Sequence, residues 1–483
     1  MIKYSQEWRT RLFDLLVLAA LSAVVIFPAL GQTRHLESRE IRHAEIIREM
    51  AERGDYLVPR LFGEIYYDKP PVMHAAAAFL TRMAGKPSIT ITRIPSAVAG
   101  MLGILATYGL GLLLFDRRSA LVGAIALLGM PGYVIMARQA RPDMILCASM
   151  LFSCLSLGLG MREERRISRI FYFVLTGLFT GLAVVTKGPY GLIVPAFFAI
   201  FVPFHRQDLK RPHLGWLCFG LGFLTALAIW ATPAYLRDGG EYLRGVLFQP
   251  DLDVTKGGRS TKPFFYYIRH VFRLTLPLLF FLPLAIKDLR RCGYSAPLAI
   301  AGAIFIVISC IPKRRLHYML PLYPFLALGI AASIVRHSVT SHIVRRAAWG
   351  LISISVVTMP IYFVAIQPIV QPYKNSPMFF AKEVLGVIEP NSRVYCVSSI
   401  GEVLAWTGRR YEGIHKLDRN DRPSACRILR EAEAGSYLIV GEQNLQSLLN
   451  DNEPIPYKLI LDRKVDHEKM MLLRLGGKTS EVP

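Results

Sequence analysis

The chain has 483 residues, 53% of them hydrophobic, and a formal net charge of +22. Soluble domains are roughly 45–50% apolar; the excess here excludes an ordinary soluble protein and falls into repeated apolar runs of the roughly 20 residues that a bilayer crossing needs. The positive charge does not make a nucleic-acid binder, because Lys and Arg sit in short loops between apolar runs and form no soluble basic domain.

The first run, LFDLLVLAALSAVVIFPALG (12–31), follows Lys3, Arg9 and Arg11. A signal peptide would begin this way, but the length, the internal Asp14 and the lack of a small-x-small cleavage site favour an uncleaved anchor. Further candidate spans run about 91–114, 119–137, 144–160, 170–186, 188–204, 213–232, 264–285, 294–311, 317–335 and 347–367, which gives roughly eleven in all. With a cytoplasmic N-terminus, every second loop is cytoplasmic. Those loops read DRRSA, MREERRISR, FHRQDLKRPH, IKDLRRCG and VRHSVTSHIVRR. All are rich in basic residues, as the positive-inside rule requires.

Several opposite loops break that rule: ARQARPD (137–143), TKGP (186–189), PKRRLHY (312–318) and the long stretch from Gln32 to Arg93. Snorkelling to lipid headgroups is one explanation. The other is that these loops converge on one anionic ligand at the outer membrane face. Lys187, inside the apolar Val185–Pro189 turn, is expensive near a bilayer unless paired.

Within the first outer loop, SREIRHAEIIREMAERG reads as a helix capped by Ser38 and ended by Gly54. Ala44, Ile47 and Ala51 share one face, so the helix is expected to lie along the membrane surface. Glu40 sits on that face one turn earlier and points either into a membrane-proximal cavity or into an ordinary ladder of charges. In the following EIYYDKPPVMH, Tyr66 and Tyr67 suit the headgroup level. The two prolines hold Asp68-Lys69 extended and stiff.

After about residue 371, RVYCVS, SYLIVG, YKLILDRK and MMLLRL read as short strands alternating with helices, a small α/β domain. Of seven cysteines, only Cys396 and Cys426 lie in this polar part, as a disulfide in an oxidising compartment or as two thiols. No CxxC pair suggests a metal.

The segment from Ser38 to His74, followed by RIPSAVAG, ARPD, TKGP and HYMLPLYPFLAL, resembles the bacterial lipid-linked-sugar glycosyltransferases of the aminoarabinose transferase type, relatives of the protein O-mannosyltransferases. The motifs run in order to about residue 336. The resemblance implies a polytopic α-helical membrane protein of the GT-C fold. Residues 1–370 would form the membrane module, with a first periplasmic loop at 32–90, and residues 371–483 a periplasmic α/β domain. It implies a bacterial inner-membrane enzyme that moves a sugar, with inversion, from undecaprenyl phosphate to lipid A or a related envelope glycolipid. A protein acceptor is the alternative within the fold. A lipid transporter or flippase would carry mid-membrane charges and repeated halves, and neither is evident.

The same resemblance assigns residues. Asp143 in ARPD and Glu40 correspond to the family's acids near the reaction centre. Many relatives have Asp-Glu where this chain has Arg39-Glu40, so either carboxylate can be the base. Lys69 and Lys187 correspond to donor-phosphate ligands, joined by Lys262 or Arg259 and by Arg314. Asp68, Tyr67, Arg42, Lys313, Arg315, His317 and Tyr318 correspond to carrier- or sugar-binding positions. Some relatives place a metal-holding His ahead of a PFWYY-like run. Here PFFYY (263–267) follows KGGRSTK, without His, so no metal cofactor is expected, although a divalent ion is not excluded.

Overall fold

The computed structural model describes residues 2–32, 38–205, 213–248, 265–289, 295–311, 314–370, 376–397, 400–408, 413–417, 422–449, 455–465 and 468–476. The protein is a multi-pass membrane protein with a small sheet domain at its C-terminal end. Among the described residues, six helical stretches are long and apolar enough to cross a membrane: Ile89–Leu114, Asp143–Arg162, Arg166–Pro203, Gly215–Asp238, Leu322–Thr340 and His342–Val370. Two bent pairs bring the number to eight, Arg117–Leu128 with Pro131–Ala137 at 66° and Tyr266–Thr275 with Leu278–Asp288 at 100°.

In chain order the membrane helices are α1 (Ile2–Ile26), α4 (Ile89–Leu114), α5 (Arg117–Leu128), α6 (Pro131–Ala137), α7 (Asp143–Arg162), α8 (Arg166–Lys187), α9 (Ile193–His205) and α10 (His213–Asp238). They continue as α12 (Tyr266–Thr275), α13 (Leu282–Asp288), α14 (Ser295–Cys310), α15 (Leu322–Thr340) and α16 (His342–Ile361). Outside this series lie α2 (Ser38–Arg53), α3 (Val72–Ala84) and α11 (Glu241–Phe248).

Every apolar run read from the sequence thus has a helical counterpart. The stretch 166–203 is not one rod. A Cβ on Gly191 would stand 2.6 Å from the carbonyl carbon of Ala183 and the nitrogen of Val184. Eight residues of straight helix would separate those positions by about 12 Å. The chain therefore folds back at Gly188, which has a positive φ of 73°, and the TKGP turn stands at one end of the α8–α9 hairpin.

The polar face of α1 is neutralised locally. Asp14 accepts hydrogen bonds from the Tyr108 hydroxyl and from Arg117, each at 2.6 Å.

The long loop between α1 and α4 is built on α2 and α3. Its hairpin pairs β1 (Arg60–Leu61) with β2 (Glu64–Ile65) across Phe62 and Gly63, both at positive φ, as a two-residue turn demands. Glu49 of α2 locks that turn by accepting from the Phe62 and Gly63 amides at 2.6 and 3.1 Å. The expected surface-lying amphipathic helix needs correction here. The apolar side of α2 is covered by protein: Ile46, Ile47 and Met50 pack with Met73, Ala77 and Ala78 of α3. Ile41 and Ala44 enter the core of the C-terminal domain.

Among the described residues that domain holds five strands, β3 (Val394–Cys396), β4 (Ile414–Lys416), β5 (Tyr437–Gly441), β6 (Tyr457–Val465) and β7 (Glu468–Leu475), in the order β4-β3-β5-β7-β6. The β3–β4 and β3–β5 pairs are parallel and the other two antiparallel. Helices α17 (Pro377–Val387) and α18 (Ile400–Trp406) cover one face; α19 (Arg422–Arg430) and α20 (Glu442–Leu449) cover the other. Cys396 belongs to the first apolar cluster and Cys426 to the second. The sheet stands between them, and no disulfide joins them.

Candidate active site

Four chain segments that are distant in sequence meet at one place. Asp143 is the first residue of α7 and is buried. Lys187, the last residue of α8, forms an ion pair with it, Nζ to Oδ1. The Lys187 ammonium also lies 5.1 Å from the centre of the Tyr318 ring. The backbone carbonyl of Tyr318 accepts from the Tyr190 hydroxyl at 2.9 Å, which ties the segment before α15 to the α8–α9 turn. Lys69, from the first outer loop, is near enough for its charge to act on Lys187.

The loop that delivers Asp143 is held from two sides. Ser96 of α4 donates its hydroxyl to the Arg141 carbonyl at 2.8 Å and accepts the Arg141 amide at 3.3 Å. The Arg141 guanidinium donates to Nδ1 of His317 at 3.2 Å. Arginine can only donate, so that nitrogen carries no proton. Burial pushes the His317 pKa well below its usual value; Asp143 opposes this, while Lys187, Arg141 and Arg315 add to it. His317 is therefore a neutral imidazole set beside Asp143.

Glu40 is placed differently from Asp143. It is 1% exposed. Arg93 of α4 donates to both of its oxygens, at 2.6 and 2.9 Å, and the Ala140 amide donates to Oε1 at 2.8 Å. The remaining Arg93 nitrogen donates to the carbonyls of Leu30 and Gln32. Glu40 and Arg93 thus clamp α2, α4, the segment after α1 and the 137–143 loop together. Arg93, the leading residue of RIPSAVAG, carried no role in the sequence reading. A charged residue within an apolar run was the available signal.

The Asp68-Lys69 patch has its own frame. The Tyr66 hydroxyl donates to Asp68 Oδ2 at 2.8 Å, and Lys69 Nζ lies 3.2 Å from the same oxygen. Burial would raise the Asp68 pKa, but Lys69, the Tyr66 hydrogen bond and Arg42 together hold it below the usual carboxylate range. Helix α11 fixes the backbone from outside: the Tyr242 hydroxyl donates to the Lys69 carbonyl at 3.1 Å, and the Tyr67 hydroxyl donates to Glu241 at 2.8 Å. Beneath the patch, His43 Nδ1 and His74 Nε2 are 2.8 Å apart in a fully enclosed pair.

Two further expected residues act on the backbone or at a distance. Arg42 donates to Glu402 of α18 at 3.2 Å, and Lys416 shares that carboxylate at 2.9 Å. Glu402 is fully buried, in a domain where the sequence offered no catalytic residue. Arg315 is held through its backbone: its amide donates to the Tyr267 hydroxyl at 3.0 Å, and that hydroxyl donates to the Arg315 carbonyl at 3.2 Å. The Arg314 charge acts on Tyr267. Lys262, Lys313 and Arg259 lie outside the described residues. Among those described, no three His, Cys, Asp or Glu side chains gather as a metal site.

The comparisons with known proteins agree with the motif resemblance. The family described as dolichyl-phosphate-mannose-protein mannosyltransferase matches residues 68–231. The undecaprenyl phosphate-alpha-4-amino-4-deoxy-L-arabinose arabinosyl transferase of Aeromonas hydrophila subsp. hydrophila is 27% identical over 305 residues, 61% of this chain and 55% of that protein. Its namesake in Shewanella sediminis is 24% identical over 335 residues, 66% of this chain and 61% of that one. The chain thus matches little more than half the length of these relatives.

Among solved structures, ArnT from Cupriavidus metallidurans bound to undecaprenyl phosphate is similar over 97% of this chain and 99% of its own, with a TM-score of 0.73 at 17% identity. The Archaeoglobus fulgidus oligosaccharyltransferase is similar over 89% of this chain and 69% of its own, with a TM-score of 0.53 at 13% identity. The fold is GT-C.

Proposed function

We propose that the protein is a membrane glycosyltransferase that takes a sugar from an undecaprenyl phosphate carrier and places it, with inversion, on lipid A or a related envelope glycolipid. The reaction is assigned to the periplasmic side of the bacterial inner membrane. The observation that carries this reading is the gathering of Asp143 with Arg141, Lys187, Lys69 and His317 from four separate segments at the end of the helix bundle. An acid among cations is what glycosyl transfer from a phosphate carrier requires. The names of the similar proteins support the donor.

The contacts support the following roles. Lys69, steadied by Asp68, binds the carrier phosphate, with Arg314, Arg315 and Tyr318 on the carrier side. Before donor arrives, Lys187 is neutralised by Asp143. The incoming phosphate competes for Lys187 and releases Asp143 toward the acceptor. The acceptor oxygen then bonds to the anomeric carbon, while the carbon–oxygen bond to phosphate breaks and its electron pair leaves with the phosphate. An acceptor hydroxyl gives its proton to Asp143; an acceptor phosphate oxygen has none to give. Glu40, with its oxygens held by Arg93 and Ala140, is a positioning residue in this scheme, as are Arg42 and Tyr67.

A protein acceptor is the second reading, favoured by the match of residues 68–231 to the protein mannosyltransferase family. Mass spectrometry of lipid A from cells with and without the protein separates the two. Loss of one sugar mass supports the glycolipid acceptor. Unchanged lipid A with altered envelope glycoproteins moves the assignment to protein.

A further inference from the structure

A cavity of about 280 Å³ lies between α4, α6, α12 and the region following α16, with neither Lys69 nor Lys187 in its lining. Arg138 borders it, buried, with its guanidinium 3.9 Å from the centre of the Phe363 ring and one nitrogen donating to the Ile26 carbonyl at 2.5 Å. Arg273 stands at the same cavity and is exposed. Neither arginine has a carboxylate partner among the described residues. A buried, uncompensated guanidinium is unfavourable unless an anion arrives.

Two amide oxygens complete the chemistry. Gln32 Oε1 and Gln139 Oε1 are buried at the cavity wall without a hydrogen-bond partner among the described residues. They ask for hydroxyl or amide donors on the ligand. The rest of the wall includes Ile135, Met136 and Leu274.

The cavity is lined by chain neighbours of the Asp143 site. Arg138 and Gln139 lead directly into the segment ending at Asp143, Leu316 precedes His317, and Arg93 at the cavity is the partner of Glu40. We propose that this cavity receives the phosphorylated, hydroxyl-bearing sugar headgroup of the acceptor lipid, with Arg138 and Arg273 on its phosphate and Gln32 and Gln139 on its hydroxyl or amide hydrogens. The inference rests on the transferase reading and adds the acceptor's subsite to it. The donor's phosphate is assigned to Lys69 and Lys187, and neither of them lines this cavity.

The test is equilibrium binding to the full-length protein in detergent, with lipid A, dephosphorylated lipid A, undecaprenyl phosphate and phosphatidylglycerol as probes. Arg273→Gln removes an exposed charge without touching the fold, and Gln139→Leu removes one acceptor oxygen. Removing a charge-assisted contact is expected to weaken lipid A binding about tenfold, with undecaprenyl phosphate affinity unchanged. Dephosphorylated lipid A should bind weakly to wild type and lose nothing further in Arg273→Gln.

Unchanged lipid A affinity in both variants overturns the proposal, and so does equal binding of phosphatidylglycerol, which would make the cavity a general phospholipid site. Undecaprenyl phosphate binding without any lipid A binding also overturns it while sparing the donor assignment. Lipid A bound through these residues, with no affinity for undecaprenyl phosphate, would support the cavity and overturn the donor assignment instead.

Discussion

Asp143 and Lys187, 44 positions apart, form a direct ion pair at the point where α7 begins and α8 ends. Neither is exposed enough for water to replace its partner, so each is held in register by the other.

Removing one member of that pair therefore has two consequences. Lys187→Ala leaves a buried carboxylate, a loss of about 3–5 kcal/mol, and removes a phosphate ligand. Asp143→Asn keeps a hydrogen-bond acceptor for Lys187. It is expected to retain donor binding while turnover falls by about 10²–10⁴-fold. Wild-type turnover in Asp143→Asn would show that the base lies elsewhere.

Lys69→Ala tests the phosphate site with less structural disturbance, because the Lys69 side chain is partly exposed and its backbone is held independently by Tyr242. Transfer should fall at least about 100-fold with normal expression and melting temperature. Donor affinity measured alone should fall with it. Addition of a chelator is expected to leave activity of the wild-type protein unchanged.

For Glu40, the geometry predicts a stability effect that a general base would not show. Glu40→Gln leaves Arg93 buried without a counter-charge and should cost about 3–5 kcal/mol, read as a fall in melting temperature. The double variant Glu40→Gln/Arg93→Met should recover much of it, since the two residues are coupled. A Glu40→Gln protein as stable as wild type but inactive would restore Glu40 to a chemical role.

The His43–His74 pair predicts an acid-sensitive first loop. Burial, then the charge of Lys69, pushes the His74 pKa down to about 3, and burial and His74 push that of His43 well down too. The unfolded imidazoles titrate near 6.5. Between those values the unfolded state binds more protons, so stability rises with pH. It is fully present above about 6.5 and is lost as pH falls toward 3. At pH 5, His74 alone should account for about 2 kcal/mol. Thermal melts at pH 7.5 and 5 should show the difference, and His74→Gln should reduce it.

Much of this was legible in the chain. Hydropathy located the apolar helices, although of the eleven spans read only six, or eight with the bent pairs, are long and apolar enough to cross a bilayer among the described residues. Basic residues in the wrong loops pointed to the segments that carry Lys69, Asp143 and Lys187. What could not be read was who answers whom. Arg93 lies 53 positions from Glu40, and Glu402 lies 360 positions from Arg42. No local pattern encodes pairings of that separation. The apolar face of α2 was given to lipid for the same reason: it fits lipid and protein equally well until α3 and the C-terminal domain are in place.

That shared helix makes the polar end of the molecule a single cooperative body. Ile41 and Ala44 of α2 complete the core under the C-terminal sheet, while Ile46, Ile47 and Met50, within two turns of the same helix, complete the core against α3. A protein cut after residue 370 would leave half of α2 facing water, and the severed domain would lack part of its own interior. Grafting the domain of a relative onto this bundle would succeed only if the outer side of α2 travelled with it.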